Sequence, residues 1–291
     1  MPCGCAVPGR WAKRERHSET LVIQFAAMKT QFDVPYSSEF QDQRRMDLFL
    51  PGECNGGAVL FIHGGGWSGG SLRQWHDVAD HFCRLGYLCA SAEYRLAPAT
   101  TLPGQVEDVR LAMAYLRGRA DELGAAPDRI AAAGSSAGGH LVALLATIAA
   151  DDPLGLTDEL AGRDSRPNAA VCYCPVVTLH ESDRLTESVR KLMGCREADA
   201  PELFRAGSPI DRISGDEPPF LFLQGDADDT TPPEQTAAMH EKLVAHGVVS
   251  ELVMLPGVEH GFGYGVTSDA QIDAVGRVAR FLEDQFGAGA A

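Results

Sequence analysis

Apolar residues along the chain fall into two kinds of segment that alternate. Short apolar runs with the length of a β-strand occur at MDLFLP (46–51), AVLFIH (58–63), YLCASAEY (87–94), RIAAAG (129–134), AAVCYCPVV (169–177), PFLFLQG (219–225) and SELVMLPG (250–257). Segments with helical spacing lie between or after them, at residues 72–85, 105–123, 138–150, 233–246 and 269–286. Several runs are apolar throughout, which is typical of a parallel sheet covered by helices. The alternation predicts an α/β fold.

Some segments follow neither pattern. Residues 1–29 are rich in Pro and Gly and then in charge, and we expect a disordered tail there. Residues 30–287 contain no repeat and no low-complexity linker, so they predict one domain. Within it, residues 151–168 and 178–208 are expected to form small cap elements over one end of the sheet.

Composition and charge narrow the choice of partner. The chain of 291 residues has a formal net charge of −15, which disfavours nucleic acid and anionic membrane surfaces. Its apolar runs are too short to cross a bilayer, and no signal-like segment opens it. We therefore expect a cytoplasmic enzyme acting on a small molecule, with no nucleic-acid or membrane partner. An apolar sheet edge or the last helix offers a surface for a homodimer.

The cysteines predict free thiols rather than a metal site. The 8 cysteines form no CxxC pair and no Cys/His group at zinc spacing. Cys172 and Cys174 alternate within an apolar run, so on a strand they share one face as small core residues.

A nucleophile motif stands between a predicted strand and a predicted helix. The stretch GSSAG matches G-x-S-x-G with Gly134, Ser136 and Gly138, which singles out Ser136 rather than Ser135. A nucleophile on a sharp strand-to-helix turn leaves no room for side chains two positions before and after it. The motif therefore predicts Ser136 as a nucleophile.

A serine needs a base and a group that orients the base. In enzymes with this turn the chain order is serine, acid, histidine. His240 and His246 fall in a helical segment, whereas His260 lies in a Gly-rich loop after the last predicted strand, where α/β enzymes gather ligand-binding groups. His260 is therefore the predicted base.

The acid should follow the strand at residues 219–225. Asp226, Asp228 and Asp229 all lie there, and a turn or a helix cap would also use aspartate. Spacing alone does not choose among the three carboxylates.

A glycine-rich loop, GGGWSGG (64–70, the glycine loop), follows the predicted strand at residues 58–63. Amides in such a loop can stabilise an oxyanion, each contributing about 3 kcal/mol of barrier lowering. A phosphate cradle is the other use of such a loop, but neither GxGxxG nor a following Lys-Ser/Thr is present. The loop therefore favours acyl transfer.

Six motifs occur along the chain: HGGGW (63–67), EYRLAP (93–98), GSSAGG (134–139), SPIDRI (208–213), PPFLFLQGDADDTTPPEQ (218–235) and EHGF (259–262). Together they resemble the α/β-hydrolase esterases related to hormone-sensitive lipase, and more closely the feruloyl-esterase-like branch without a large N-terminal cap. The resemblance spans roughly residues 33–286. It implies a mostly parallel sheet of about eight strands with helices on both faces, and a serine carboxylesterase acting on short-chain acyl esters.

The resemblance also implies roles for the candidate triad. It makes Ser136 the nucleophile and His260 the base. The G-x-x-D of the family falls on Gly225 and Asp228, which makes Asp228 the acid. Asp229 is a second carboxylate beside it.

Other roles follow from the same resemblance. It assigns the oxyanion hole to the amides of Gly65, Gly66 and Ala137, and it gives His63 the task of shaping the glycine loop. Trp67 either lines the acyl pocket or simply packs. No cofactor and no metal are needed.

The chain departs from the pattern of such relatives at two positions. They usually show His-Gly-x-x-Asp followed by Val-Pro, and here Gln224 replaces the His and Thr231 replaces the Val. Because Gln224 lies outside the triad, we expect activity to survive.

Several alternatives share the same motifs. The substrate could be the acetyl-xylan or feruloyl type of carbohydrate ester, or an aryl formamide, and residues 151–168 and 178–208 would decide between them. A serine peptidase is disfavoured, because such relatives add a large propeller domain. A non-catalytic receptor on the same fold would typically lose a triad member, and none is lost here.

Overall fold

The computed structural model of the chain describes residues 27–180 and 185–287. In chain order the strands are β1 (Lys29–Pro35), β2 (Arg45–Leu50), β3 (Ala58–Ile62), β4 (Leu88–Ala92), β5 (Ile130–Ser135), β6 (Ala169–Tyr173), β7 (Phe220–Gly225) and β8 (Ser250–Leu255). The α-helices are α1 (His76–Arg84), α2 (Leu102–Arg119), α3 (Ala137–Thr147), α4 (Thr186–Met193), α5 (Pro201–Ala206), α6 (Pro233–Ala245) and α7 (Asp269–Phe286).

All eight strands belong to one sheet, in the order β1-β2-β4-β3-β5-β6-β7-β8. β2 pairs antiparallel with both of its neighbours, β1 and β4. From β4 through β3 to β8, every pairing is parallel. Each predicted strand is present with its ends shifted by a few residues at most, and the sheet is mostly parallel, as the sequence predicts.

The central strands are buried on both faces because helices cover both sides of the sheet. In β3, Leu60 packs into the core that α2, α3 and α6 cover. Its neighbours Val59 and Phe61 point the other way, into the core that α1 and α7 cover. The apolar runs of the sequence therefore reflect two cores that share one sheet.

Three elements of the structure have no counterpart in the predicted pattern. β1 begins at Lys29, the last residue of the predicted tail, and almost all of its residues are exposed, so it carries no apolar alternation. α4 and α5 lie inside the predicted cap segment 178–208, whereas the segment 151–168 contains a short 3-10 turn at Asp158–Leu160. The rest of the predicted tail, residues 1–26, lies outside the described residues.

Two sequence features can be compared directly with the fold. The cysteines of the described part of the chain are free, and Cys172 and Cys174 are buried. The prediction that these two share one face is wrong, because β6 ends at Tyr173: Cys172 lies in the core that α2, α3 and α6 cover, and Cys174 lies in the core that α1 and α7 cover. Within residues 27–180 and 185–287, no helix is long and apolar enough to cross a membrane.

The parallel strands end at the same edge of the sheet. The glycine loop follows β3, Ser136 follows the adjacent strand β5, and Asp228 and His260 follow β7 and β8. The topology thus brings together segments that are far apart in the sequence.

Candidate active site

Ser136 occupies a sharp turn between β5 and α3. Its backbone has φ 58° and ψ −120°, a strained conformation for a residue with a side chain. A Cβ on Gly134 would lie 2.4 Å from the carbonyl oxygen of Gly138, and a Cβ on Gly138 would lie 2.2 Å from that of Ile62. The prediction that neither position has room for a side chain is confirmed.

The two neighbouring serines have different surroundings. Ser135 is the last residue of β5 and is buried, with its hydroxyl 3.6 Å from the Sγ atom of Cys174. The Ser136 hydroxyl instead lies 2.9 Å from Nε2 of His260. Of the two, Ser136 is therefore the one that meets the imidazole.

His260 connects two other candidate residues. Its Nε2 atom faces the Ser136 hydroxyl, and its Nδ1 atom lies 2.7 Å from Oδ2 of Asp228. His240 and His246 belong to the region of α6, where their Nδ1 atoms contact the hydroxyl of Ser250 and a helix carbonyl. The structure thus brings His260, and not the helical histidines, to the serine.

Of the three carboxylates after β7, only Asp228 is buried. Its Oδ1 atom accepts hydrogen bonds from the backbone amides of Thr230 (2.9 Å) and Thr231 (2.8 Å), which leaves Oδ2 for the imidazole. Asp226 and Asp229 are exposed, and Asp226 accepts from the amide of Gly257. The geometry separates three candidates that spacing could not.

The hydrogen bonds also set the protonation of the pair. Burial acts to raise the pKa of Asp228, but hydrogen bonds from His260 and Thr231 outweigh it and lower the pKa to about 2. Burial likewise acts to lower the pKa of His260, and the contacts with Asp228 and Cys174 outweigh it, so this pKa lies above its usual value. The carboxylate is therefore ionised and favours the imidazolium form of His260.

Both departures from the family pattern contact this carboxylate. The Thr231 hydroxyl donates to Oδ2 of Asp228 at 2.8 Å, and the side-chain amide of Gln224 donates to the same atom at 3.1 Å. Gln224 is in turn fixed by the Thr236 hydroxyl, which donates to its Oε1 atom at 2.8 Å. The sequence analysis placed Gln224 outside the triad and gave it no role in the site. A glutamine at the end of a buried strand needs hydrogen-bond partners, and this need could have indicated that Gln224 contacts a polar group of the site.

The glycine loop lies beside the serine turn. Gly65 and Gly66 have φ of 116° and 59°, in the region that favours glycine, and a Cβ on Gly65 would lie 2.4 Å from the Gly69 carbonyl oxygen. Ala137 is the first residue of α3. Among the described residues, the amides of Gly65, Gly66 and Ala137 have no hydrogen-bond acceptor. They are therefore free to bind an anionic oxygen.

His63 and Trp67 flank the three consecutive glycines. The Nδ1 atom of His63 lies 2.8 Å from the Gly64 carbonyl oxygen, which agrees with a role in shaping the loop. Trp67 is only 1% exposed, and its indole N–H donates to Nδ1 of His140 at 3.2 Å. This burial favours the packing role for Trp67 that the sequence left open beside the acyl pocket.

A thiol missed by sequence reasoning lies next to the imidazole. Cys174 follows β6, and its Sγ atom, a ring nitrogen of His260 and a carboxylate oxygen of Asp228 all lie within 4.8 Å of one another. These three donor types could hold a soft metal ion. Within the described residues, however, the imidazole and the carboxylate already satisfy each other by their hydrogen bond.

The family of the chain follows from its likeness to known proteins. The BD-FAE family model matches residues 46–243, more than half of the chain. The chain belongs to the BD-FAE family. The match includes the glycine loop, Ser136 and Asp228 and ends before His260. Membership confirms the esterase family that the motifs predict.

Curated relatives of this BD-FAE protein are esterases. It is 31% identical to Esterase LipQ of Mycobacterium tuberculosis over 247 residues, which cover 81% of this chain and 58% of LipQ. It is 35% identical to Esterase LipC of the same organism over 213 residues, which cover 70% of this chain and 52% of LipC. The chain therefore spans less than two thirds of the length of these relatives.

Solved structures of Thermogutta terrifontis esterase 2 share the fold of this BD-FAE protein. The form phosphonylated by sarin has a TM-score of 0.77 and 25% identity, and the alignment covers 92% of this chain and 98% of that one. The butyrate-bound form has a TM-score of 0.73 and 27% identity, with 91% and 96% covered. The predicted α/β-hydrolase fold is confirmed.

Proposed function

We propose that this protein is a serine carboxylesterase that hydrolyses short-chain acyl esters through an acyl-enzyme. One observation carries the proposal. His260 makes hydrogen bonds at both ring nitrogens, to the Ser136 hydroxyl at 2.9 Å and to the Asp228 carboxylate at 2.7 Å. This arrangement of nucleophile, base and orienting acid is the one that acyl transfer requires.

In the first half of the reaction, Ser136 Oγ attacks the ester carbonyl while Nε2 of His260 accepts its proton. Asp228 holds the proton on Nδ1 and stabilises the imidazolium that forms. The tetrahedral oxyanion binds the free amides of Gly65, Gly66 and Ala137. His260 then protonates the leaving alcohol, the C–O bond breaks, and the acyl group stays on Ser136.

In the second half, water takes the place of the alcohol. His260 accepts a proton from the water as its oxygen attacks the acyl carbonyl, and the same three amides stabilise the second oxyanion. The proton returns to Ser136 Oγ as the acid leaves. The protein contributes side chains and backbone amides to this cycle, and water is the second reactant.

The acyl length is proposed from the solved neighbours. Thermogutta terrifontis esterase 2 has been solved with propionate and with butyrate bound. Since the chains align over more than nine tenths of both, we extend a preference for short acyl groups to this protein.

The proposal is tested by hydrolysis of p-nitrophenyl esters from acetate to decanoate. We expect turnover to be highest for the short esters and to fall by about 10³-fold or more in Ser136→Ala and His260→Ala. His246→Ala is the matched control, because this exposed histidine lies at the C-terminal end of α6, where its Nδ1 atom contacts the carbonyl oxygen of Lys242. Its turnover should equal that of the wild type.

A panel of other substrates separates the alternatives. It contains acetylated xylan, a feruloyl ester and an aryl formamide. If one of these is the only substrate hydrolysed and Ser136→Ala abolishes the reaction, the chemistry stands and the substrate class changes. Hydrolysis of none of the esters or amides would refute the proposed function.

A further inference from the structure

The peptide unit that joins His63 to Gly64 is held at both of its ends by tyrosine hydroxyls. The Tyr94 hydroxyl donates to the carbonyl oxygen of His63 at 3.1 Å. The amide of Gly64 donates to the Tyr264 hydroxyl oxygen at 2.7 Å. Because a peptide unit is planar, fixing both its C=O and its N–H fixes its orientation.

This peptide unit directly precedes the proposed oxyanion donors. Gly65 and Gly66 follow it, both at positive φ, and glycine adopts many other conformations at little cost. Two contacts within the loop segment hold the peptide units that carry these amides: Nδ1 of His63 lies 2.8 Å from the carbonyl oxygen of Gly64, and the amide of Ser68 donates to the carbonyl oxygen of Gly65 at 3.2 Å. Donors that stabilise a transition state must be oriented before the charge develops. The hydrogen bonds from Tyr94 and to Tyr264 attach the start of this segment, the His63–Gly64 peptide unit, to residues outside it.

Tyr264 is itself held independently of Gly64. Its ring packs edge-on against Trp75, with centroids 4.9 Å apart, and its carbonyl oxygen accepts from the side-chain amide of Gln271 at 2.9 Å. The indole of Trp75 in turn donates to the carbonyl oxygen of Ile62 at 2.9 Å, in the strand that leads into the glycine loop. These contacts hold the Tyr264 side chain in place, so its hydroxyl can anchor the start of the glycine loop.

The hydroxyl of Tyr264 and the side chain of Ser136 both lie against Gly64. A Cβ on Gly64 would lie 2.6 Å from this hydroxyl oxygen and 3.3 Å from the Cβ of Ser136. Burial raises the pKa of Tyr264 to about 12, against hydrogen bonds from Gly64 and Ser135 that lower it. The phenol therefore stays neutral and acts by hydrogen bonding, not by accepting a proton.

Tyr264 comes from the segment that carries the proposed base, 4 residues after His260. Its contact with Gly64 crosses 200 positions of the sequence. One hydroxyl thus connects the loop of the base to the loop of the oxyanion donors.

We propose that Tyr264 is a positioning residue for the reaction: its hydroxyl orients the His63–Gly64 peptide unit and, through it, the amides of Gly65 and Gly66. This inference rests on the proposed esterase function. It assigns Tyr264 to the stabilisation of the transition state and not to substrate binding.

The test compares Tyr264→Phe with wild type on p-nitrophenyl butyrate and with a trifluoromethyl ketone, which forms a tetrahedral oxyanion on the serine. We expect kcat to fall by about ten- to a hundredfold with KM changed by less than about twofold. The inhibition constant of the ketone should rise by the same factor as kcat/KM falls. The pH midpoint of kcat/KM should not move, because His260 keeps its contacts.

Two further variants complete the comparison. Tyr173→Phe is the matched control, since this buried tyrosine also packs against Trp75 but, within the described residues, no hydrogen bond reaches its hydroxyl. It should behave as wild type. Tyr94→Phe releases the other end of the same peptide unit and should lower kcat and ketone affinity in the same direction as Tyr264→Phe.

Each outcome decides the inference. Unchanged kcat and ketone affinity in Tyr264→Phe would overturn it, as would a rise of KM alone or a shifted pH midpoint. If the wild type hydrolyses no ester, the proposed function fails. The positioning role of Tyr264 is then tested separately, by the rate of amide hydrogen exchange in the peptide that covers residues 62–67. Faster exchange in Tyr264→Phe than in Tyr173→Phe supports the positioning role, and equal exchange refutes it.

Discussion

The indole nitrogen of Trp67 donates a hydrogen bond to Nδ1 of His140, 3.2 Å away. On its other side, Nε2 of His140 lies 2.8 Å from the carbonyl oxygen of Gly207. The two contacts require a neutral imidazole that carries its proton on Nε2. One buried ring of α3 therefore joins the glycine loop to the segment 178–208.

This arrangement predicts a loss of stability in acid. Burial lowers the pKa of His140 to about 4, whereas an unfolded histidine titrates near 6.5. As the pH falls between these values, the unfolded state binds a proton that the folded state does not, so the free energy of unfolding decreases. Between about pH 7 and about pH 4.5, the contribution of His140 should be a loss of about 2–3 kcal/mol.

Urea unfolding at the two pH values measures this loss. His140→Gln should be less stable than wild type at neutral pH but should lose about 2–3 kcal/mol less on acidification. His246→Gln, at an exposed position, should keep the wild-type pH dependence. Equal pH dependence in His140→Gln and wild type would contradict the prediction.

Asp228→Asn should change both the rate and the pH dependence of ester hydrolysis. The base must be neutral, so kcat/KM rises with pH through the pKa of His260, which the contact with Asp228 holds above its usual value. Removing the carboxylate should move this midpoint to lower pH and lower kcat by about 10³- to 10⁴-fold. The pH–rate profile measures both effects.

Asp229→Asn is the control, because Asp229 is exposed beside the buried Asp228. It should leave the midpoint in place. If Asp229→Asn moves the midpoint and Asp228→Asn does not, the two carboxylates have been assigned the wrong way round.

Thr231→Val should destabilise the protein although it installs the residue that such relatives usually carry. The Thr231 hydroxyl donates to the ionised Asp228 carboxylate in a buried setting, and valine removes this donor without changing the shape. We expect the free energy of unfolding at neutral pH to fall by about 1–3 kcal/mol. Thr230→Val, next to exposed Asp229, should change it by less than about 0.5 kcal/mol. Equal effects of the two substitutions would contradict a specific role for Thr231.

Gly138→Ala should be the most damaging of these substitutions. The new Cβ would lie 2.2 Å from the carbonyl oxygen of Ile62 and 2.5 Å from that of His63, so α3 and the end of β3 would have to separate. We expect a loss of at least about 3 kcal/mol in the free energy of unfolding.

Gly118→Ala provides the contrast, because a Cβ on this glycine of α2 would meet no neighbouring group within 4 Å and alanine is the better helix former. It should raise the free energy of unfolding by about 0.5–1 kcal/mol. Similar stability of the two variants in thermal or urea unfolding would refute the close approach at Gly138.

The parts that could be predicted from the sequence are those with a local signal. The central parallel strands are apolar runs, since both of their faces are buried, and the turn around Ser136 carries its two glycines within five residues. His260 could be found because it follows the last such run. β1 escaped prediction because it is exposed and polar, and it belongs to the sheet only by pairing with β2.

The features that spacing alone could not predict depend on distant contacts. Spacing alone does not choose between Asp228 and Asp229, and only the family resemblance points to Asp228; in the structure the two differ in burial and in contact with the imidazole, which lies 32 positions away in the sequence. Tyr264 meets Gly64 across 200 positions. No pattern of spacing carries such information, because it arises only when β3, β7 and β8 lie in one sheet.

The same topology governs when the chemistry can begin during synthesis. A ribosome that has completed α3 has produced the glycine loop and Ser136, but His260 lies 124 positions further on, after the edge strand β8. A nascent or truncated chain that has not yet added this last parallel strand has a serine without its partner. The proposed ester hydrolysis would therefore require the complete sheet. A chain that has only collapsed around its apolar runs would show no activity.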